Sequence, residues 1–352
     1  MASIRDVARA AGVSTATVAR VLNGSAAPVS EALTERVRQA VADLDYVPNG
    51  VAASLSRGRT QLLGLLVSDI SNPFTAQVAR GLEDEAARHG YLVLVGSSDW
   101  DPAREADLLG SFAKRTVDGV ALLSSSGENE GVHRLIRTGV PVVFVDRRPD
   151  DAAGIPMIRT DSLTAAHEAV QYLIGLGHRD LAMISGPPTM PTAALRVAGF
   201  RTACAEVGLT VREECVRQGF LGIEGGYTAM NEVLALEPRP TAVFSFNNML
   251  AIGALRALRE QDVHLPDDLS LVTFDDTDLF PFVDPPITAI AQPAYQIGAE
   301  AGHMLFQLLN GDRSHPLQDI VLPTEFRIRN SCASPPCPTT KDIDHRGDPP
   351  RS

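Results

Sequence analysis

A chain of 352 residues that is 44% hydrophobic has material for more than one core. It holds no apolar run near the length of a membrane span, and Met1 leads into a charged helix rather than a signal peptide. The protein is therefore expected in the cytoplasm, with no membrane partner. The net charge of −12 argues against nonspecific nucleic-acid binding by the whole surface, and four cysteines in so long a chain support no disulfide framework. Residues 1–60 nevertheless carry seven arginines against five acidic residues, a balance of +2 that leaves −14 for the rest. A small basic head on an acidic body suits a protein that touches phosphates at one end only.

The first 24 residues read as two short helices around a tight turn. Ser3 caps the first, with Asp6 three residues on to reach back to the cap, and Val7, Ala8 and Ala11 form its apolar face. Gly12 breaks that helix and Ser14 caps the second. Val18, Val21 and Leu22 then turn toward the first helix, while Thr15, Ala16, Thr17 and Arg20 occupy the opposite face. An apolar inner face with short polar groups and one arginine outside suits a helix that enters a major groove. There Arg20 pairs with guanine N7 and O6, and Thr15 and Ala16 approach base edges.

Asp6-Val7-Ala8, Ala11-Gly12-Val13-Ser14 and Val18-Ala19-Arg20-Val21-Leu22-Asn23-Gly24 closely resemble the N-terminus of the LacI-type (LacI/GalR) bacterial transcription regulators. The resemblance implies DNA contact by Ser14, Thr15, Ala16, Thr17, Arg20 and Asn23, with Thr15-Ala16 at the positions that carry operator preference. Ala19 stands where the family usually has serine, which removes one expected phosphate contact.

A third helix, from about Glu31 to Leu44 with Ser30 as cap, closes a headpiece over residues 1–47 through Leu33, Val37, Val41 and Leu44. Residues 48–60 form a hinge, where Pro48 and Gly58 leave space for at most two turns of helix, marginal alone. The resemblance implies that this hinge folds on operator DNA, with Asn49 and Ala52 at the DNA and Leu55 as an apolar wedge in the minor groove. Ala53 stands where the family usually has arginine.

From residue 61 apolar strands alternate with amphipathic helices, the pattern of parallel-sheet α/β domains. Strands are expected at Leu62–Val67, Tyr91–Val95, Gly119–Leu123, Val140–Val145, Leu181–Ile184, Ala242–Phe246 and Leu269–Phe274. Helices are expected at Phe74–His89, Ala103–Lys114, Ser162–Leu176, Ala193–Val207, Gly225–Leu236, Leu250–Arg259 and Tyr295–Leu309. The fold class is thus an all-α helix-turn-helix headpiece, a hinge helix and an α/β core of two doubly wound parallel-sheet subdomains resembling periplasmic binding proteins. The core is expected over 61–330, with about 61–160 plus 292–320 in one subdomain and 161–291 plus 321–330 in the other. Residues 331–352, rich in Pro, Ser and charge, are expected to be a disordered tail.

Ligands of wound sheets bind beyond the carboxyl ends of the strands. The segments there carry Asp69 through Phe74, Ser124-Ser125-Ser126, Asp146-Arg147, Gly186 through Arg196, Phe246-Asn247-Asn248 and Asp275-Asp276. Carboxylates, amides, hydroxyls and aromatic rings together suit a small polyhydroxylated ligand. The family resemblance, nearest to the ribose and purine regulators, implies an effector pocket lined at Phe74, Asp146, Thr192, Arg196, Asn247 and Asp275, with Asp161 at the crossover. Ser124, Arg147 and Leu221 complete the candidate set. Two departures mark this pocket: Asn248 follows Asn247 where the family has Asp, and Leu221 stands near its usual aromatic.

No Gly-x-Gly-x-x-Gly, Walker or Gly-x-Ser-x-Gly motif appears, the histidines lack partners at any known motif, and no cofactor or metal is expected. The main reading is a homodimeric repressor that binds a pseudopalindromic operator under a sugar- or nucleoside-like effector. A DNA-binding regulator governed by a protein corepressor or by nothing, and a ligand receptor without a DNA role, are the alternatives.

Overall fold

The computed structural model describes residues 2–23, 29–47, 59–115, 117–124, 130–152, 154–311 and 318–335. Two compact units emerge, Met1–Leu62 with Thr116–Asp118, and Leu63–Arg115 with Gly119–Ser352.

In the first unit, α1 (Ile4–Ala11), α2 (Thr15–Asn23) and α3 (Glu31–Asp43) close over Val7, Ala8, Ala11, Val18, Val37 and Ala40. The Asp6 carboxylate accepts from the Ser3 N–H at 3.0 Å and its hydroxyl at 2.7 Å, fixing the start of α1. Gly12 ends it in the left-handed region (φ 63°), and the Ser14 hydroxyl accepts the Thr17 N–H at 3.1 Å to start α2. Arg36 of α3 donates to the Ala11 carbonyl, a free acceptor at the end of α1. Farther along, Asp118 receives the Thr60 and Gln61 N–H groups, each at 2.9 Å.

The second unit holds two six-stranded sheets. The first is ordered β11-β5-β4-β3-β1-β2, built from β1 (Leu62–Val67), β2 (Leu92–Ser97), β3 (Gly119–Leu122), β4 (Val142–Val145), β5 (Met157–Thr160) and β11 (Ile320–Leu322). The second is ordered β12-β10-β9-β8-β6-β7, from β6 (Leu181–Ile184), β7 (Val216–Arg217), β8 (Ala242–Ser245), β9 (Ser270–Phe274), β10 (Thr288–Ala291) and β12 (Glu325–Arg327). The central strands β3, β4, β6, β8 and β9 are buried along their whole length, as continuous apolar runs in helix-covered parallel sheets must be. Strand β12 pairs antiparallel, against β10.

Around the first sheet lie α4 (Pro73–Arg88), α5 (Pro102–Arg115), α6 (Glu130–Arg137) and α11 (Ala294–Leu309). Around the second lie α7 (Ser162–Gly175), α8 (Pro191–Glu206), α9 (Gly222–Leu234) and α10 (Asn248–Glu260). Helix α11 follows the second sheet in sequence but packs on α4. A Cβ at Gly81 would lie 2.0 Å from the Tyr295 carbonyl, and one at Gly298 2.0 Å from that of Val78, so only glycine permits this approach.

The elements expected from periodicity are present, and several further ones join them. Strands β5, β10, β11 and β12 and helix α6 are too short to announce a period. Two boundaries need correction. Residues 321 and 322, expected in the second subdomain, pair with β5 in the first sheet, so the crossing falls just after Leu322. The tail expected to be disordered from 331 is docked as far as 335. The buried Ser331 hydroxyl donates to the Leu271 carbonyl at 2.6 Å and receives the Thr288 N–H at 2.8 Å, and His178 lies 2.9 Å from the Ala333 carbonyl. These bonds satisfy backbone groups at the starts of β9 and β10, which composition does not reveal. Residues 336–352 lie outside the described residues.

Candidate functional sites: a recognition helix and a polar cleft

On α2, Val18 is fully buried while Ser14, Thr15, Ala16 and Arg20 are exposed and Thr17 is half-exposed. The helix thus presents the set expected to meet DNA as a solvent-facing surface. The side chain of Asn23 and residues Asn49, Ala52 and Leu55 lie outside the described residues.

The second site is where the two sheets face each other. Six of the expected residues, Phe74, Asp146, Arg147, Arg196, Asn247 and Asp275, line one small space of about 30 Å³. Asp146 follows β4 and Asp275 follows β9, and both stand in the left-handed region with φ 66°. Arg147 is 7% exposed and ties three strand ends of the first sheet together. It donates to the Ser124 carbonyl, to Asp146 at 3.2 Å and to the Ser68 hydroxyl at 2.9 Å. Behind it the Ser124 hydroxyl donates to the buried Glu105 at 2.8 Å.

Arg196 comes from α8 and is 2% exposed. Its guanidinium lies 3.5 Å from the centre of the Phe274 ring and 4.6 Å from that of Phe246, and donates to the Phe246 carbonyl at 2.6 Å. Asp275 stands 3.9 Å away and is held by the Gln292 amide at 2.6 Å, whose own oxygen accepts from Thr160 at 2.6 Å. Burial lowers the pKa of both arginines and raises that of Asp275, so this dry site favours charges only in opposed pairs.

The remaining expected residues fall differently. Thr192 is 3% exposed, and among the described residues its hydroxyl has no hydrogen-bond partner, as is also true of Ser185 Oγ and Asn248 Oδ1. Ser124 acts through Glu105 and Arg147 rather than at the lining. Asp161 does not line the cleft: it is exposed and caps α7, accepting from the Thr164 N–H at 3.2 Å and hydroxyl at 2.8 Å. Leu221 is the N-cap of α9 and packs on the core of the second subdomain.

Sequence reasoning missed Ser68, Thr75, Trp100 and Gln292, which also line the space. It also missed the buried bridge from Asn248 Nδ2 to Asn72 Oδ1, 3.1 Å long, which joins the two subdomains. Trp100 follows β2 with φ 64°, stacks 5.2 Å from the Arg147 guanidinium and packs against the core of the opposite subdomain. The one available signal was its place beyond a strand's carboxyl end. Among the described residues no cluster of His, Cys, Asp or Glu could hold a metal ion, and no helix is long and apolar enough to cross a membrane.

Comparison with known proteins gives these two sites a common setting. Residues 3–49 match the bacterial regulatory proteins of the lacI family, and residues 170–332 match the periplasmic binding protein-like domain. The HTH-type transcriptional repressor CytR of Escherichia coli (strain K12) is 36% identical over 310 residues, which cover 88% of this chain and 90% of that protein. The chain therefore belongs to the LacI family, as a DNA-binding transcriptional regulator with a periplasmic-binding-protein-like core. The Lac repressor dimer bound to operator and the anti-inducer ONPF superposes with a TM-score of 0.82 at 27% identity, covering 94% of this chain and 99% of that one. A complex of the regulator CelR with cellobiose gives 0.72 at 31% identity, covering 94% of this chain and all of that one (100%).

Proposed function

We propose that the protein is a homodimeric repressor whose affinity for a pseudopalindromic operator is controlled by an uncharged, sugar-like effector bound between its core subdomains. The observation that carries the reading is the composition of the cleft: Asp146 and Asp275 face Arg147 and Arg196, a balanced set flanked by Phe74 and Phe246. Opposed charges offer bidentate hydrogen bonds to vicinal hydroxyls, the aromatic faces take the apolar side of a ring, and an ionic ligand would unbalance a dry site. Relatives crystallised with operator and with cellobiose support both halves of the reading.

At the DNA, Thr15, Ala16 and Arg20 read base edges, with Ser14, Thr17 and Asn23 at the phosphates. Asn49, Ala52 and Leu55 belong to a hinge that grips the minor groove. Effector binding changes the angle between subdomains and so the spacing of the two hinges in the dimer. The chain acts by binding and not by catalysis, in keeping with the regulators it resembles.

The test is selection of operator sites from genomic fragments, with and without a panel of pentoses, hexoses, nucleosides and purines. A palindromic site whose occupancy one compound changes is the expected result. A site that none affects favours control by a protein corepressor, and no enriched site sinks the DNA-binding assignment. Arg20→Ala is expected to cost about 1–3 kcal/mol of affinity and relax preference at one base pair. Equal weakening of all sequences would make Arg20 a phosphate contact instead.

A further inference from the structure

The chain coming from the hinge is caught just before it enters the first sheet. One oxygen of the half-buried Asp118 carboxylate accepts the Thr60 N–H and hydroxyl, and the other accepts the Gln61 N–H, each at 2.9 Å. The Asp118 N–H donates in return to the Leu62 carbonyl at 2.8 Å. One residue thus clasps three consecutive ones, and three of the bonds are strengthened by the carboxylate charge. Gln61 stands at φ 58°, a left-handed conformation that a residue with a side chain keeps only where its surroundings hold it. The bonds to Asp118 on either side of that turn are what hold it.

Asp118 is itself fixed. It leads directly into β3, as Gln61 leads into β1, and the two strands pair in parallel from Leu63 opposite Gly119 to Leu66 opposite Leu122. Leu65, Leu66, Val120 and Ala121 are fully buried in the pair. At its far end Arg147 donates to the Ser68 hydroxyl and the Ser124 carbonyl, which follow the same two strands. Close-packed interiors yield little, so a strand pair pinned at both ends passes a displacement on and does not absorb it.

A regulator that reads two half-sites gains avidity only while its linkers hold both heads at the spacing of the operator. We infer that Asp118 is a positioning residue for operator binding: its clasp on Thr60 and Gln61 fixes the direction in which the chain runs from β1 toward the hinge, and so sets the half-site spacing that the dimer accepts. The inference rests on the reading of residues 48–60 as a hinge between headpiece and core, and it is independent of the effector.

The test compares the affinity of the full chain for a site selected from genomic fragments with its affinity for the same site carrying one base pair inserted at the centre, both without effector. Wild type should lose about ten-fold or more on insertion, and Asp118→Ala should bind the original site about ten-fold more weakly than wild type does. In Asp118→Ala the ratio between the two sites should fall below about three, because freed linkers reach either spacing. Loss of folded protein would weaken both sites equally and leave that ratio unchanged, so the ratio separates positioning from stability. Asp118→Asn keeps the shape and an oxygen for Thr60 but turns an amide toward the Gln61 N–H. Its ratio should fall between the other two, and it decides the matter if the alanine variant does not fold. A ratio that stays at the wild-type value in every folded variant overturns the positioning role, as does a wild type indifferent to the insertion. If wild type selects no site at all, the DNA-binding reading falls and the clasp with it.

Discussion

The two subdomains place the same residue at the same turn and then diverge. Asp146 after β4 and Asp275 after β9 share φ 66°, and both reach the cleft. The next residue differs. Arg147 folds inward and ties Ser68, Ser124 and Asp146 into one network, whereas Asp276 turns away to Arg327 at 3.0 Å and Arg329 at 2.6 Å, fixing β12 and the segment after it. Successive side chains at a strand end point to opposite faces, so one member of each pair is committed to the cleft by geometry. Arg147 is held inward as well, by its bonds to the Ser124 carbonyl and the Ser68 hydroxyl. One subdomain thus devotes both residues to the site, and the other spends its second on holding the fold.

The largest expected effect comes from breaking the inward pair. Arg147→Ala leaves Asp146 and Glu105 buried without their guanidinium and should cost about 3–5 kcal/mol of stability in chemical denaturation, with loss of effector response. Retention of both would make Arg147 dispensable and the contrast empty. Asp276→Asn should cost about 2 kcal/mol while leaving effector affinity unchanged. Burial pushes the Asp276 carboxyl up, but hydrogen bonds from Arg329 and Arg327 outweigh it, and the pKa lies below its ordinary 3.8. Its contribution is therefore present above pH 3.8 and lost as pH falls through the lowered value, so the gap between wild type and variant should narrow at acid pH. A gap that is constant with pH would show that the carboxylate charge is not what binds β12 and the segment after it.

Next comes Asn248→Ala, which removes the bridge to Asn72 and should cost about 1 kcal/mol and widen the cleft, read as a larger radius of gyration in solution scattering. An unchanged radius would assign closure to the remaining contacts. The smallest effect is expected at Asp275→Asn. Burial raises this carboxyl, so its stabilisation is full below its unfolded pKa near 3.8 and is lost as pH rises through the raised folded value. The asparagine form lacks that slope, and wild type minus variant should fall as pH rises above 3.8. A difference that rises instead would mean that the Arg196 pairing dominates burial.

The sequence carried much of this architecture. Capping signals at Ser3, Asp6, Gly12 and Ser14 and long apolar runs such as Leu62–Val67 encode local structure, and local structure is what a linear reading detects. In the cleft, Asp146, Asn247 and Asp275 were legible because each lies just beyond a strand, whereas Phe74 and Arg196, on helices, were given by the family resemblance. Asp161 was expected from the family resemblance alone, yet its carboxylate serves a helix N-terminus, because caps and ligand contacts use the same residue types. Gln292, and the role of Asn72 as one half of a bridge, were invisible for the opposite reason. Each acts through a partner more than 100 positions away, Thr160 for one and Asn248 for the other, and only the closed topology supplies it.

Trp100 is the sole tryptophan of the chain and touches both subdomains, with its ring beside a cation. Its indole emission should therefore shift in wavelength and intensity whenever the cleft opens or the Arg147 guanidinium moves. The protein carries a native optical gauge of its own hinge angle, one that needs no dye and has no second fluorophore of its kind to blur the signal.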